Sequence, residues 1–171
     1  MLEVPEGSKI IPLSSDKYAL VDASDYEYLM QWKWSAIKAA KSEHWQAVRM
    51  TSRREPHRRL IKMHRFLMGL DVGDSMEVDH INCNPLDNRR CNLRICTHRQ
   101  NMRNRAGKPN RSGFKGVSWK SSHKSWRARI YIDGKEVLLG YFKSAAKAHE
   151  AYCRASNQHY GEFANHHQTK G

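Results

Sequence analysis

The stretch VDHINCNPLDNRRCNLRICTHRQNMRN, residues 78–104, decides how this chain is read. It opens on an acid–imidazole pair, Asp79-His80, on a strand expected from Met76 to Ile81. A loop rich in turn residues follows, INCNPLDNRR, and then the short apolar run Leu93-Arg94-Ile95-Cys96. Thr97 starts a helix that carries Asn101. The pattern predicts a hairpin followed by a helix, holding one divalent metal ion and one general base.

The chemistry follows from the side chains. Neighbours on a strand point to opposite faces, and this relaxes at a strand end. Asp79 and His80 can therefore reach one site from different sides. A hard cation such as Mg²⁺ prefers carboxylate, amide and water oxygens to thiols. Asp79 supplies one oxygen, and Asn101 supplies a second if its helix packs across the hairpin. Water and phosphate oxygens take the remaining positions. His80, with an ordinary pKa near ~6.5, can be neutral and take a proton from water. The metal offsets charge on the transition state and on the leaving oxygen. Asn92 lies between the two half-sites and can tie loop backbone groups together.

With 171 residues, the chain has room for one domain or two small ones. Charge says more: 30 Lys and Arg against 17 Asp and Glu give a net +13. Such a chain is drawn to polyanions, with nucleic acid the first candidate. The excess is uneven. Residues 1–48 hold 5 basic and 7 acidic side chains, residues 49–105 hold 13 and 6, and residues 106–171 hold 12 and 4. Phosphate contacts are expected in the two basic blocks, from Arg94, His98, Arg103 and Arg105 in the first. The 4 cysteines, Cys83, Cys91, Cys96 and Cys153, do not form a CxxC knuckle. Reduced, idle thiols are the default, and zinc held by Cys83, Cys91, Cys96 and His98 is the minor alternative. The start MLEVPEGSKI lacks the features of a signal peptide, and no run approaches the ~20 apolar residues of a membrane helix. A soluble, intracellular protein is expected.

Upstream, KIIPL (9–13) and KYALV (17–21) look like a strand pair, followed by a short helix, DYEYLMQW. WSAIKA (34–39) and HWQAVRM (44–50) look like a second pair, turning through Lys-Ser-Glu. Tyr26, Tyr28, Trp32, Trp34 and Trp45 are read as core rather than as base-stacking platforms. The arginine-rich connector 49–59 is expected to be an exposed loop. A helix is predicted over 60–70, with Leu60, Met63, Phe66, Leu67 and Leu70 on one face and His64 as a structural histidine.

Downstream, RAGKPNRS (105–112) reads as a basic linker. FKGVSW, WRARIYI and VLLGYF are three short strands, with Asp133-Gly134 as a hairpin turn. A helix runs over 144–161, with Ser144 as N-cap and Gly161 as stop. In the middle strand Trp126, Ala128, Ile130 and Ile132 point one way, and Arg127, Arg129 and Tyr131 point the other. One face carries the helix. The opposite face is cationic, shaped for a DNA major groove where Arg bridges guanine O6 and N7.

The ordered set Asp79-His80, Asp87-Asn88, Asn92-Leu93-Arg94 and Gln100-Asn101 resembles the His-Asn-His (HNH) endonucleases with the ββα-metal motif, in their phage and intron-encoded homing branch. The resemblance implies Asp79 and Asn101 as metal ligands, His80 as general base and Asn92 as the middle, structural Asn. Cys83 stands where the family pattern has Gly, so an unusual backbone is expected there. Residues 113–168 resemble the plant ethylene-response-factor (Apetala-type) DNA-binding domain, through Gly116-Val117, Trp126-Arg127-Ala128, Leu139-Gly140, Phe142, Ala151-Tyr152 and Phe163-Ala164-Asn165. That resemblance puts Lys115, Ser118, Lys120, Arg127, Arg129 and Leu138 on the DNA face. Several positions that are Arg in the plant domains are Ser, Lys, Tyr or Glu here, so the target sequence does not carry over.

The expected fold is α+β. It comprises an N-terminal HNH nuclease domain (1–104, with the ββα-metal core about 76–104), the linker 105–112, and a small three-stranded antiparallel sheet packed on one helix. The expected function is a monomeric, site-preferring endonuclease that nicks double-stranded DNA with one Mg²⁺ or Mn²⁺, in the cytoplasm of a bacterial or phage-infected cell. A DNA-binding regulator without catalysis is the rival, and an RNA-directed nuclease is a weaker one.

Overall fold

In the first strand pair, turn chemistry and alternation agree. Strand β1 (Ser8–Pro12) pairs antiparallel with β2 (Tyr18–Asp22), and Ser15 and Asp16 between them both have positive φ. That is the backbone a two-residue hairpin turn demands. The computed structural model describes residues 3–38, 44–52, 57–105 and 110–166. The expected Lys-Ser-Glu turn, residues 53–56 of the connector and residues 106–109 of the linker lie outside the described residues, as does 167–171. The chain forms two compact units, Met1–His98 and Arg99–Gly171.

In the first unit, α1 (Ala23–Leu29) starts earlier than its sequence signal and stops before Trp32. The Trp34 indole N–H donates to the Leu29 carbonyl at 2.9 Å and satisfies that helix end. Strands β3 (Ser35–Lys38), β4 (Trp45–Met50) and β5 (Leu60–Lys62) form one antiparallel sheet in that order. The helix expected over 60–70 is corrected here. Leu60–Lys62 is a strand, and only α2 (Met63–Leu67) is helical. The apolar spacing holds from Met63 to Leu67, both buried. Before it, Leu60, Ile61 and Lys62 answer Met50, Arg49 and Val48 across the open edge of β4. Pairing with that edge overrides a weak propensity.

Strands β6 (Glu77–His80) and β7 (Leu93–Cys96) form the expected hairpin, followed by α3 (His98–Asn104). Ile11, Val21, Leu29, Trp34, Met63, Leu67, Val78 and Leu93 share one buried cluster. Each such side chain contributes about 1.5–3 kcal/mol on burial. Residues from β1 and β2 thus lie in the same core as the hairpin. Among the aromatics, Trp34 is core, while Tyr28, Trp32 and Phe66 form a more open cluster. The Arg49 guanidinium lies 4.5 Å from the Trp32 ring centre and 5.1 Å from that of Phe66.

In the second unit, β8 (Val117–Lys120), β9 (Ser125–Ile132) and β10 (Lys135–Phe142) make an antiparallel meander, with β9 in the middle. Asp133 and Gly134 both take positive φ in the tight turn. Helix α4 (Ala145–Tyr160) packs on the sheet through Ala148 and Tyr152. Ser144 caps it, its Oγ accepting from the Lys147 N–H at 3.3 Å. Gly116, at φ +75°, is obligatory: a Cβ there would lie 2.3 Å from Tyr152 Cδ2 and 2.7 Å from the Arg129 carbonyl oxygen. Among the described residues, no helix is long and apolar enough to cross a membrane.

Candidate functional site

The loop between β6 and β7 is built by side chains that replace missing ladder bonds. Asn92 lies at its base. Its Oδ1 accepts from the Asn82 N–H at 2.9 Å, and its Nδ2 donates to Asn82 Oδ1 at 3.0 Å and to the Asp87 carbonyl at 2.8 Å. Asn82 in turn donates from Nδ2 to Asp87 Oδ2 at 2.8 Å. The Arg89 fork closes on Asp87, with Nε–Oδ1 at 2.8 Å and Nη2–Oδ2 at 2.7 Å. These bonds hold the Asp87 carboxyl below its usual range, against the opposing effect of burial. Cys83 has φ +60°, the left-handed backbone expected where the family pattern has Gly.

Asp79 and His80 leave the end of β6 as buried side chains. Asp79 faces Arg94 directly across the ladder, and its Oδ2 accepts from Arg94 Nε at 2.8 Å and Nη2 at 2.6 Å. Arg94, expected as a phosphate contact, is mostly buried against this carboxylate. The His80 ring lies edge-on to His64, 5.0 Å between centres, with its Nε2 3.4 Å from Asn88 Oδ1. Burial lowers the pKa of His80, and Asn88, Asp79 and Asp87 partly oppose it. His64 is pushed down to about 3, first by burial and then by His80. Both imidazoles are therefore neutral at neutral pH. His98 bonds through Nδ1 to Glu77 Oε1 at 2.7 Å.

The N-terminal segment braces this loop. The Leu20 N–H donates to the Leu86 carbonyl at 2.8 Å, and the Asn88 N–H donates to the Leu20 carbonyl at 2.7 Å. Arg90 forks onto Asp25, with Nε–Oδ2 at 2.8 Å and Nη2–Oδ1 at 2.9 Å, and reaches the Leu67 carbonyl. Its backbone N–H donates to Asp22 Oδ2 at 2.7 Å. Sequence reading offers Asp22 or Ser24 as a helix cap, and Asp22 makes no such cap bond; it uses Asp87-Asn88 only as part of the ordered set, gives Asp25, Arg89 and Arg90 no role, and reads His64 as structural. The Asp87-Asn88-Arg89-Arg90 run was visible as charge and turn chemistry. Its distant partners, Asp22 and Asp25, carried no local signal of that pairing.

The donor set suits a hard cation. Asp79 offers a carboxylate, and no cluster of three His, Cys, Asp or Glu side chains converges among the described residues. Two buried polar atoms near His80, His64 Nδ1 and Asn88 Nδ2, have no hydrogen-bond partner, which marks this corner as more than packing. A site with one or two protein oxygens, completed by water and substrate, is the kind Mg²⁺ accepts. Asp79, His80, Asn88 and Asn92 lie together in the first unit. Asn101 lies on α3 beyond the division at His98.

The second unit presents the expected basic face. Ala128 and Ile130 are buried, while Arg127, Arg129 and Tyr131 alternate with them on the other side of β9. Glu136 on β10 pairs with Tyr131. Its Oε2 accepts from the Arg129 guanidinium and, at 2.9 Å, from the Tyr131 hydroxyl, and its Oε1 lies 3.6 Å from Arg127 Nη1. Ser118 lies opposite Arg127 on β8, and Lys120 is exposed at the end of that strand. Lys115 donates to the carbonyls of Arg103 at 2.6 Å and Arg105 at 2.8 Å. Arg103 lies over the Tyr160 ring at 4.6 Å, and exposed Arg105 rests near Met102 Sδ at 3.3 Å.

Comparisons with known proteins bear on the first of these surfaces. A family model described as HNH endonuclease matches residues 62–103. Protein 3.8 of Escherichia phage T7 is 38% identical over 88 residues, 45% of this chain and 73% of the phage protein. An uncharacterized HNH endonuclease of Acanthamoeba polyphaga mimivirus is 24% identical over 151 residues, 86% of this chain and 73% of that protein. No solved structure matches. The HNH segment is mid-chain, which corrects the N-terminal placement expected from sequence. It takes in α2 and His64, and β1 to β4 precede it.

Proposed function

The chain belongs to one family with that phage T7 protein and carries an HNH endonuclease domain over residues 62–103; from that premise we propose a metal-dependent DNA endonuclease, homing-type and site-preferring, that nicks a duplex as a monomer. The observation that carries this reading is the buried, neutral His80 beside Asp79 on a hairpin locked by Asn92. Asp79 and, by the resemblance, Asn101 would hold the ion. When bound, the ion stabilises charge on the scissile phosphate and on the leaving oxygen.

This chain's own residues do the rest. His80 Nε2 lies 3.4 Å from Asn88 Oδ1, a contact that orients the ring, and the neutral imidazole takes a proton from water. The lowered pKa keeps the ring ready for that transfer at neutral pH. The Arg94 fork fixes the direction of the Asp79 carboxyl. The Asn82–Asp87–Asn92 bonds keep the loop in one shape as DNA arrives. The second unit, read as an ethylene-response-factor-like domain over 113–168 behind the linker 105–112, supplies target contacts from Arg127 and Arg129.

A plasmid-nicking assay with Mg²⁺ tests this reading. The parent chain should convert supercoiled to open-circular DNA, and His80→Ala should lose about 10²–10⁴-fold in rate while still binding DNA. If both proteins are silent under Mg²⁺ and Mn²⁺ yet bind duplex, the chain is a non-catalytic DNA-binding regulator. If RNA competes away duplex DNA, the substrate class is wrong.

A further inference from the structure

A carboxylate in the middle of a cationic face that is read as DNA-binding calls for a reason. Glu136 is an acidic side chain bonded to that side of β9: it takes the Arg129 guanidinium and the Tyr131 hydroxyl on Oε2 and faces Arg127 through Oε1. Tyr131 and Leu138, beside this group, are more than half exposed, so the array is open to solvent rather than sealed by packing. Arg127 is partly exposed and its Nη1 lies 3.6 Å from Glu136, beyond hydrogen-bond distance, so its terminal N–H groups are not consumed by that carboxylate.

We propose that Glu136 is a specificity-determining residue, a positioning group that turns Arg127 and Arg129 from phosphate binders into base readers. The inference rests on the reading that the second unit binds duplex DNA.

An unrestrained Arg on a surface strand finds phosphate, which lies everywhere along a duplex and carries no sequence information. Two changes follow when a carboxylate holds it. Its charge is offset, so the pull toward phosphate weakens. Its rotamers are restricted, so the remaining N–H groups arrive already aimed, and a fork of that kind matches guanine O6 and N7. Glu136 also repels any phosphate oxygen that approaches the patch. It tolerates a base amino donor instead, such as cytosine N4. The exposed Leu138 stands opposite Arg129 on the same face and offers apolar contact to a thymine methyl.

The test uses the full chain in EDTA with a pool of randomised duplex DNA. It compares the parent, Glu136→Gln and the pair Arg127→Ala and Arg129→Ala by selected sequence, affinity and salt slope. Glu136→Gln should bind unselected duplex about three- to tenfold tighter at low salt, with a slope of log affinity against log salt steeper by about one, the scale of one added phosphate contact. It should also lose base preference at one or two positions. A bland cross-strand ion pair predicts none of these. If Glu136→Gln selects the same sequence as the parent with the same preference, the inference falls. If the two arginine variants bind as tightly as the parent, the second unit's DNA-binding role falls first and the inference falls with it. Glu136→Ala guards against a residual hydrogen bond from Gln and should move in the same direction.

Discussion

Arginines meet carboxylates in both units of this molecule, in opposite settings. In the first unit Arg89 and Arg94 close on Asp87 and Asp79, whose side chains are only 4% and 6% exposed, while Arg90, itself 54% exposed, closes on Asp25 at the surface. In the second, Arg127 and Arg129 share Glu136, 35% exposed. The difference is one of dielectric. A buried pair cannot lose a partner without leaving a charge out of water, so it acts as a fixed frame. An exposed pair is screened and worth little to folding, so it can exchange its partner at little cost. The first unit uses its arginines to shape a site, and the second presents them.

Asp87→Ala attacks that contrast hardest. It strips Arg89 and Asn82 of their shared acceptor inside the loop. The expected loss is about 3–5 kcal/mol, read as a fall in the urea midpoint of the first unit. A loss below about 1 kcal/mol, the range of exposed pairs, would mean that the buried and exposed sets do not differ in kind.

Gly116→Ala comes next and strikes the second unit. Its new methyl would collide with Tyr152 and with the Arg129 carbonyl in a backbone that L residues avoid. Crowding alone costs about 1–3 kcal/mol. Hydrogen exchange should show faster opening of β9 and α4, with β6 and β7 unchanged. Equal loosening of both units would contradict their separate cores.

His64→Phe is smaller and depends on pH. The folded pKa of about 3 lies below the ordinary imidazole value. On lowering pH the unfolded chain takes up this proton first, so stability is complete above the ordinary value and drains away between there and about pH 3. The slope approaches about 1.4 kcal/mol per pH unit. Phe removes both that slope and the unpartnered Nδ1, so the variant should outlast the parent at pH 5 and match it more closely at pH 8. His80, lowered in the same direction, leaves some slope behind. Parallel melting curves across that range would show that His64 is already solvated or partnered in the folded protein.

Much of this was legible in the sequence where the signal is local. Alternation gave β9 its two faces, Asp133-Gly134 its turn, and Ser144 its cap. The site hairpin was legible too, since Asp79-His80 and Asn92-Leu93 carry their own spacing. What stayed hidden is long-range. Nothing near Asp22 or Asp25 announces Arg90, about 65 residues away. Leu60-Ile61-Lys62 reads as the first turn of a helix until the free edge of β4 stands beside it. Arg94 looked like a phosphate contact because the sequence does not say which side of β7 is buried.

Arg127→Ala should change stability least. Its Nη1 lies 3.6 Å from Glu136, too long for a strong bond, and the pair is partly solvated. Substitution away from core and network features stays within about ±0.5 kcal/mol. Its effect belongs to recognition: binding should weaken and target choice relax, while nicking of a bound duplex by the first unit stays intact. One bidentate base contact discriminates by about 1–3 kcal/mol, so a single position of the site should lose its preference. If affinity and preference both stay at parent values, β9 is not in the interface, and the exposed pair is no more a reader than the buried ones.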